Sequence, residues 1–128
     1  MIPEVYVDKE IMPLLLKVKY PLRKVIKQDF RPVYYTKDFN DEGWQDCDAY
    51  YIPTQAQVMK WLREVQNIII TVDYDKYELP SNKFKVGYGY SIQKTDNPTE
   101  YFKIGEFVYD TYEDAVEAAI KYCLENLI

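Results

Sequence analysis

Residues 53–65, PTQAQVMKWLREV, constrain this chain more than any other stretch, because a start signal, a helical period and a wide apolar face coincide there. Thr54 suits a helix N-cap, and Gln57 can reach back to the cap's own N–H, with Pro53 just outside. At about 100° per residue, Trp61, Val65, Val58, Leu62 and Met59 fall on one arc, while Gln57, Lys60, Arg63 and Glu64 fall opposite. Burying such an arc is worth roughly 8 to 15 kcal/mol gross, so an apolar layer must cover it.

The residues that follow supply that layer. Asn67 marks the helix end, and Ile68, Ile69, Ile70, Thr71 and Val72 form a β-branched run whose three isoleucines predict burial on both faces. A turn is expected over 75–82, around Pro80, Ser81 and Asn82. Residues 83–93 alternate, with Phe84, Val86, Tyr88, Tyr90 and Ile92 on one side and Lys83, Lys85, Gly87, Gly89 and Ser91 on the other, the signature of a one-sided antiparallel sheet. A second turn over 95–99 leads to a strand over 101–109, with Gly105 a candidate bulge. Thr111 then caps a helix over 112–127, Glu113 and Asp114 complementing its dipole, with Tyr112, Val116, Ala119, Ile120, Cys123 and Leu127 as the apolar stripe. The fold class is α+β: residues 53–128 form an α-β-β-β-α domain, a three-stranded antiparallel sheet with two helices on one face.

Residues 1–52 read as an N-terminal extension of short helical turns, short strands and an acidic loop. Pro3, Pro13, Pro21 and Pro32 forbid long helices there. Helical turns are expected over 11–18 and 22–27, with 14–16 and Val25/Ile26 as buried points, and short strands over 32–35 and 49–52. In the loop between those strands, Asp38, Asn40, Glu42 and Gly43 mimic the opening of a calcium-binding EF-hand loop, but Ala49 stands where the bidentate glutamate belongs, so the loop is not read as a metal site.

Composition narrows the function classes. At 128 residues the chain can bury a core without staples, and 48% hydrophobic with 29% charged residues describes a folded protein. No apolar run spans a bilayer, two cysteines make no disulfide framework and residues 1–20 lack a secretion signal, so a cytoplasmic protein is expected. Residues 1–37 carry eight Lys/Arg against four Asp/Glu, net +4, whereas 38–128 carry eight against seventeen, net −9. Lys17, Lys19, Arg23, Lys24, Lys27 and Arg31 form a loose basic run that could contact phosphate or simply flank the acidic remainder.

The catalytic inventory is thin. With no histidine, the chain lacks the usual base of nucleophilic triads and the commonest zinc ligand. Cys47 lies between Asp46 and Asp48, which disfavours its thiolate, and Cys123 sits on an apolar stripe. Gly87-Tyr88-Gly89 lacks the third glycine and the helix of a phosphate cradle, and no spacing singles out a carboxylate pair such as Asp46 with Asp73. No catalytic residue, cofactor, metal or small-molecule substrate is assigned.

Two resemblances add to this reading. The helix–three strands–helix order, with Ala115-Val116-x-Ala118-Ala119-Ile120 near the end, resembles the double-stranded RNA-binding domain fold, which implies duplex RNA contact by lysines opening the second helix. Tyr112, Glu113, Asp114 and Glu117 stand there instead. PTQAQVMKWLREVQNIIITV followed by TYEDAVEAAI is similar to a group of small uncharacterised proteins of Bacteroidetes gut bacteria, their phages and mobile elements, with Gln66 in place of that pattern's histidine. The missing catalytic inventory, the acidic surface and Tyr/Trp residues beyond those the stripes need point to a non-enzymatic accessory protein of phage or mobile-element origin acting through protein contacts, with Trp44, Tyr50, Tyr51 and Arg63 as candidate contacts, although a satellite core accounts for the first three equally well. The alternative is nucleic-acid binding by the basic segment 17–31.

Overall fold

The computed structural model describes residues 4–27, 29–36, 48–78, 84–104 and 109–128. Helix and strand are mixed, as the α+β expectation requires, and the chain divides into two compact units, Met1–Thr54 and Gln55–Ile128.

In the first unit a 3-10 turn, Lys9–Ile11, runs into α1, Met12–Lys17. Pro13 stands in the first turn, where a missing N–H costs nothing. Val18 is the C-cap and Lys19 follows at φ 61°. The Lys19 N–H donates to Leu16 C=O at 3.2 Å and the Tyr20 N–H to Leu15 C=O at 3.0 Å, the paired bonds of a Schellman motif. Leu15 is buried, as expected, but Leu16 is exposed.

Strand β1, Val33–Tyr35, pairs antiparallel with β2, Ala49–Tyr51, in the register Val33↔Tyr51, Tyr34↔Tyr50, Tyr35↔Ala49. Residues 22–27, expected as a helical turn, are extended instead: Val25 N–H donates to Ala49 C=O and Tyr51 N–H to Arg23 C=O, each at 3.0 Å. The outer edge of β2 needs hydrogen-bond partners, and an extended segment supplies them where a helical turn would not. Ile26, expected to be buried, is 94% exposed as a result. Thr36 closes the base of the acidic loop, its N–H donating to Asp48 C=O and its hydroxyl accepting from Asp48 N–H. The calcium-like motif and Gly43 lie outside the described residues.

The second unit opens with α2, Gln55–Val65, followed by β3, Ile68–Glu78, β4, Phe84–Lys94, β5, Asn97–Ile104, and α3, Tyr112–Asn126. The three strands form one antiparallel sheet in the order β3-β4-β5. The β3–β4 ladder runs unbroken from Ile68↔Lys94 to Glu78↔Phe84, so 75–78, expected as a turn, are strand. Strand β5 likewise starts earlier than expected, directly after the two-residue turn Thr95-Asp96, and the sheet's irregularity falls opposite Ile92, Gln93 and Lys94. Gly105, the expected bulge, lies outside the described residues.

Cross-strand pairs Ile70↔Ile92 and Val72↔Tyr90 put Ile68, Tyr90 and Ile92 on one face, and these three are buried. Ile69 and Ile70 are only half-buried, so the run is not covered on both faces. Helix α2 packs on β3, α3 packs on β3 and β4, and the two helices touch. From α2 the buried side chains are Gln55, Val58 and Leu62, an i, i+3, i+7 stripe. Val65, expected on that stripe, is 59% exposed: the helix ends there, Asn67 at φ 59° reverses the chain into β3, and Gln55 completes the stripe one turn upstream instead. From α3 the buried residues are Ala115, Val116, Ala119, Ile120, Cys123 and Leu124. Tyr112, expected in that stripe, is 44% exposed at the helix's first position. Thr111 does cap α3, its hydroxyl accepting from Asp114 N–H at 3.0 Å.

Candidate interaction surface

Helix α2 divides its circumference. One flank supplies Val58 and Leu62 to the core. The adjoining flank presents Ala56, Met59, Lys60 and Arg63, which with Ile69 and Ile70 of β3 and Tyr112 of α3 line an open groove of about 430 Å³. The groove has an apolar floor and two cations, and neither Lys60 nor Arg63 has an ion-pair partner among the described residues.

A polar clasp joins the two helices. Gln55, only 6% exposed, donates from Nε2 to Glu113 C=O at 3.0 Å and to Glu117 Oε1 at 3.1 Å, which ties the start of α2 to the first turns of α3. A buried amide with both hydrogens engaged is an orienting contact, since leaving it unpaired would cost about 1 to 3 kcal/mol. Among the described residues, no buried side-chain nitrogen or oxygen lacks a partner.

Tyr112 also belongs to an aromatic face. Its ring meets Tyr88 edge-on at 6.4 Å, and Tyr88 in turn meets Tyr74, its cross-strand partner, at 4.8 Å. The face is not covered by the helices: Tyr74 is 61% and Val86 49% exposed. Further along, the Tyr90 and Tyr109 rings meet tilted at 6.0 Å; Tyr90 is buried, which pushes its hydroxyl above its ordinary value.

Of the four contacts expected from sequence, Arg63 alone lines this groove. Trp44 lies outside the described residues. Tyr50 is half-buried in β2. Tyr51 is 9% exposed, its hydroxyl donates to Lys27 C=O at 2.9 Å, and the Arg31 guanidinium lies 3.8 Å over its ring, as the satellite-core alternative has it. It is a packing residue of the first unit.

The six basic residues also belong to that unit, and all are exposed. Arg31 is engaged by Asp29, which accepts from Nε at 2.8 Å, from Nη2 at 2.6 Å and from the Arg31 N–H at 2.9 Å. Those bonds hold the Asp29 carboxyl below the usual carboxylate range. Lys24 pairs with Asp48 at 3.6 Å. Lys17, Lys19, Arg23 and Lys27 make no ion pair among the described residues. Within those residues no group of three or more His, Cys, Asp or Glu could hold a metal ion, and no helix is long and apolar enough to cross a membrane.

The sequence carried a signal for the groove that periodicity alone obscured. Gln55 stands at the right spacing from Val58 and Leu62 to lie on their stripe, which turns Met59 and Arg63 to the flank. Tyr74 fell between the β-branched run 68–72 and the expected turn 75–82, so no pattern assigned it to the strand. No protein-family model, curated protein or solved structure matches this chain.

Proposed function

We propose that this protein is a non-enzymatic accessory protein, of the phage or mobile-element kind its sequence resembles, that works through protein–protein contacts made by the groove and the tyrosine face of the second unit. The observation that carries the reading is the exposed Tyr112 ring, which is shared by both features: it lines the groove with Arg63 and Met59 and meets Tyr88 of the Tyr88–Tyr74 pair edge-on. Tyrosine, arginine and methionine are the side chains enriched at interface centres, because they bury much area with few rotamers to fix or adapt to an irregular partner. The test is affinity capture from the native host with wild type beside a Tyr112→Ala/Arg63→Glu variant. A recovered partner whose yield falls about tenfold in the variant supports the reading. Absence of any partner, or equal recovery by both proteins, overturns it.

The order α2, β3, β4, β5, α3 favours a second reading, duplex nucleic-acid binding on a fold like that of double-stranded RNA-binding domains. Charge weighs against it, because α3 opens with Glu113 and Asp114 and the basic run over 17–31 belongs to the other unit. Salt-sensitive retardation of duplex RNA, lost when Lys17, Lys19, Arg23 and Lys27 become glutamine, would put this reading first.

A further inference from the structure

Strand β2 is flanked on both edges. Residues 23–25 run along one, with Lys24 opposite Tyr50, and β1 runs along the other, with Val33 opposite Tyr51. Both flanks are antiparallel to β2, so the chain leaves the first at Val25, level with Ala49, and has to run back before it enters the second at Val33. It does so across the Tyr51 side chain. The Tyr51 hydroxyl donates to Lys27 C=O at 2.9 Å, and the Arg31 guanidinium lies 3.8 Å over the ring, itself fastened to Asp29. Tyr51 thus takes the inner side of the crossing and fixes its course.

Two large apolar side chains are left in water on that crossing. Ile26 is 94% exposed and Phe30 fully exposed, more than any other large hydrophobic side chain among the described residues. A single exposed apolar residue is ordinary, but two within five residues of a fastened segment make a patch. Cations surround them. Arg23 and Lys27 stand on either side of Ile26, both exposed and outside any ion pair among the described residues, and Arg31 follows Phe30. Residues 22–31 carry four Lys/Arg against one Asp, net +3.

We propose that this crossing seats the first unit on an anionic lipid surface, with Ile26 and Phe30 entering below the headgroups while Arg23 and Lys27 stay among them. Apolar side chains beside unpaired cations match a surface that has an apolar layer beneath an anionic one, and long basic side chains reach the headgroups while their neighbours go deeper. A nucleic-acid backbone would use the cations and leave Ile26 in water. A protein partner would need a hollow shaped to both side chains, whereas a bilayer yields to them. Such contact is peripheral and asks for no spanning helix. The surface belongs to the first unit, so it stands apart from the groove and tyrosine face of the second.

Co-sedimentation of the full chain with phosphatidylcholine vesicles, with and without about 30% phosphatidylserine, tests this. Wild type is expected to bind the anionic vesicles and to lose most of that binding between ~0.1 M and ~0.5 M salt. Ile26→Ser/Phe30→Ser should weaken binding about tenfold or more, and Arg23→Gln and Lys27→Gln about five-fold each. Because all four side chains are exposed, urea midpoints should stay at the wild-type value, which separates lost contact from lost folding. Failure of the wild type to bind anionic vesicles overturns the proposal, whether or not the same residues then retain duplex RNA or a host protein. Binding that the double serine variant keeps in full also overturns it, since the cations would then act alone.

Discussion

At the scale of single residues, the fold leaves two legible marks. Cys123 is fully buried on α3 and desolvation pushes its thiol from 9.0 up to about 12. In a Cys47→Ser background, which leaves one thiol, a disulfide reagent at about pH 8 should therefore react only as fast as the unit opens. The folded value lies above the unfolded one, so the stabilising effect is complete below pH 9.0 and drains away as pH rises toward 12. Urea midpoints measured across that window should fall more steeply in the wild type than in Cys123→Ala. The second mark is backbone handedness. Lys19 and Asn67 both hold positive φ after a helix, the place where glycine or asparagine is at ease. Asparagine suits it and lysine does not, so Lys19→Gly should raise stability by about 0.5 to 1 kcal/mol in urea unfolding. A loss instead would mean that the lysine side chain contributes more than its backbone costs.

At the scale of elements, end signals governed what could be read. Thr111 caps α3 through Asp114 as the Thr-Tyr-Glu-Asp stretch implies, and Thr111→Ala should cost about 1 kcal/mol by the same assay. Strand β4 was legible because alternation is a local property. The ends of β3 and β5 were not, because a ladder of paired partners extends a strand through residues whose own preferences are for turns, such as Asp75 or Asn97. In α2, Val58 and Leu62 were readable as core. Val65 was misplaced because a helical wheel carries no information about where the chain reverses, and here it reverses at Asn67. In the first unit, proline spacing said where helices could not be, yet the extended course of 23–25 is set by the hydrogen-bonding needs of β2, a partner remote in sequence.

At the scale of the whole molecule, α2 gives one flank to the core and another to the groove, and the proposed contact role rests on the second. The candidate surface was half visible in sequence: Arg63 was singled out, while Tyr74 and Tyr112 became surface residues only once strand lengths and the Gln55 clasp were known. Tyr51 was drawn into packing by Arg31 and Lys27, contacts between segments whose spacing follows no period. If the groove flank of α2 is surplus to stability, its residues are held for a partner. Urea unfolding of Leu62→Ala beside Lys60→Ala/Arg63→Ala measures this directly. The account predicts a loss of about 2 to 5 kcal/mol for the first and under about 1 kcal/mol for the second. A groove pair that costs as much as the buried leucine would make that flank structural and contradict the account.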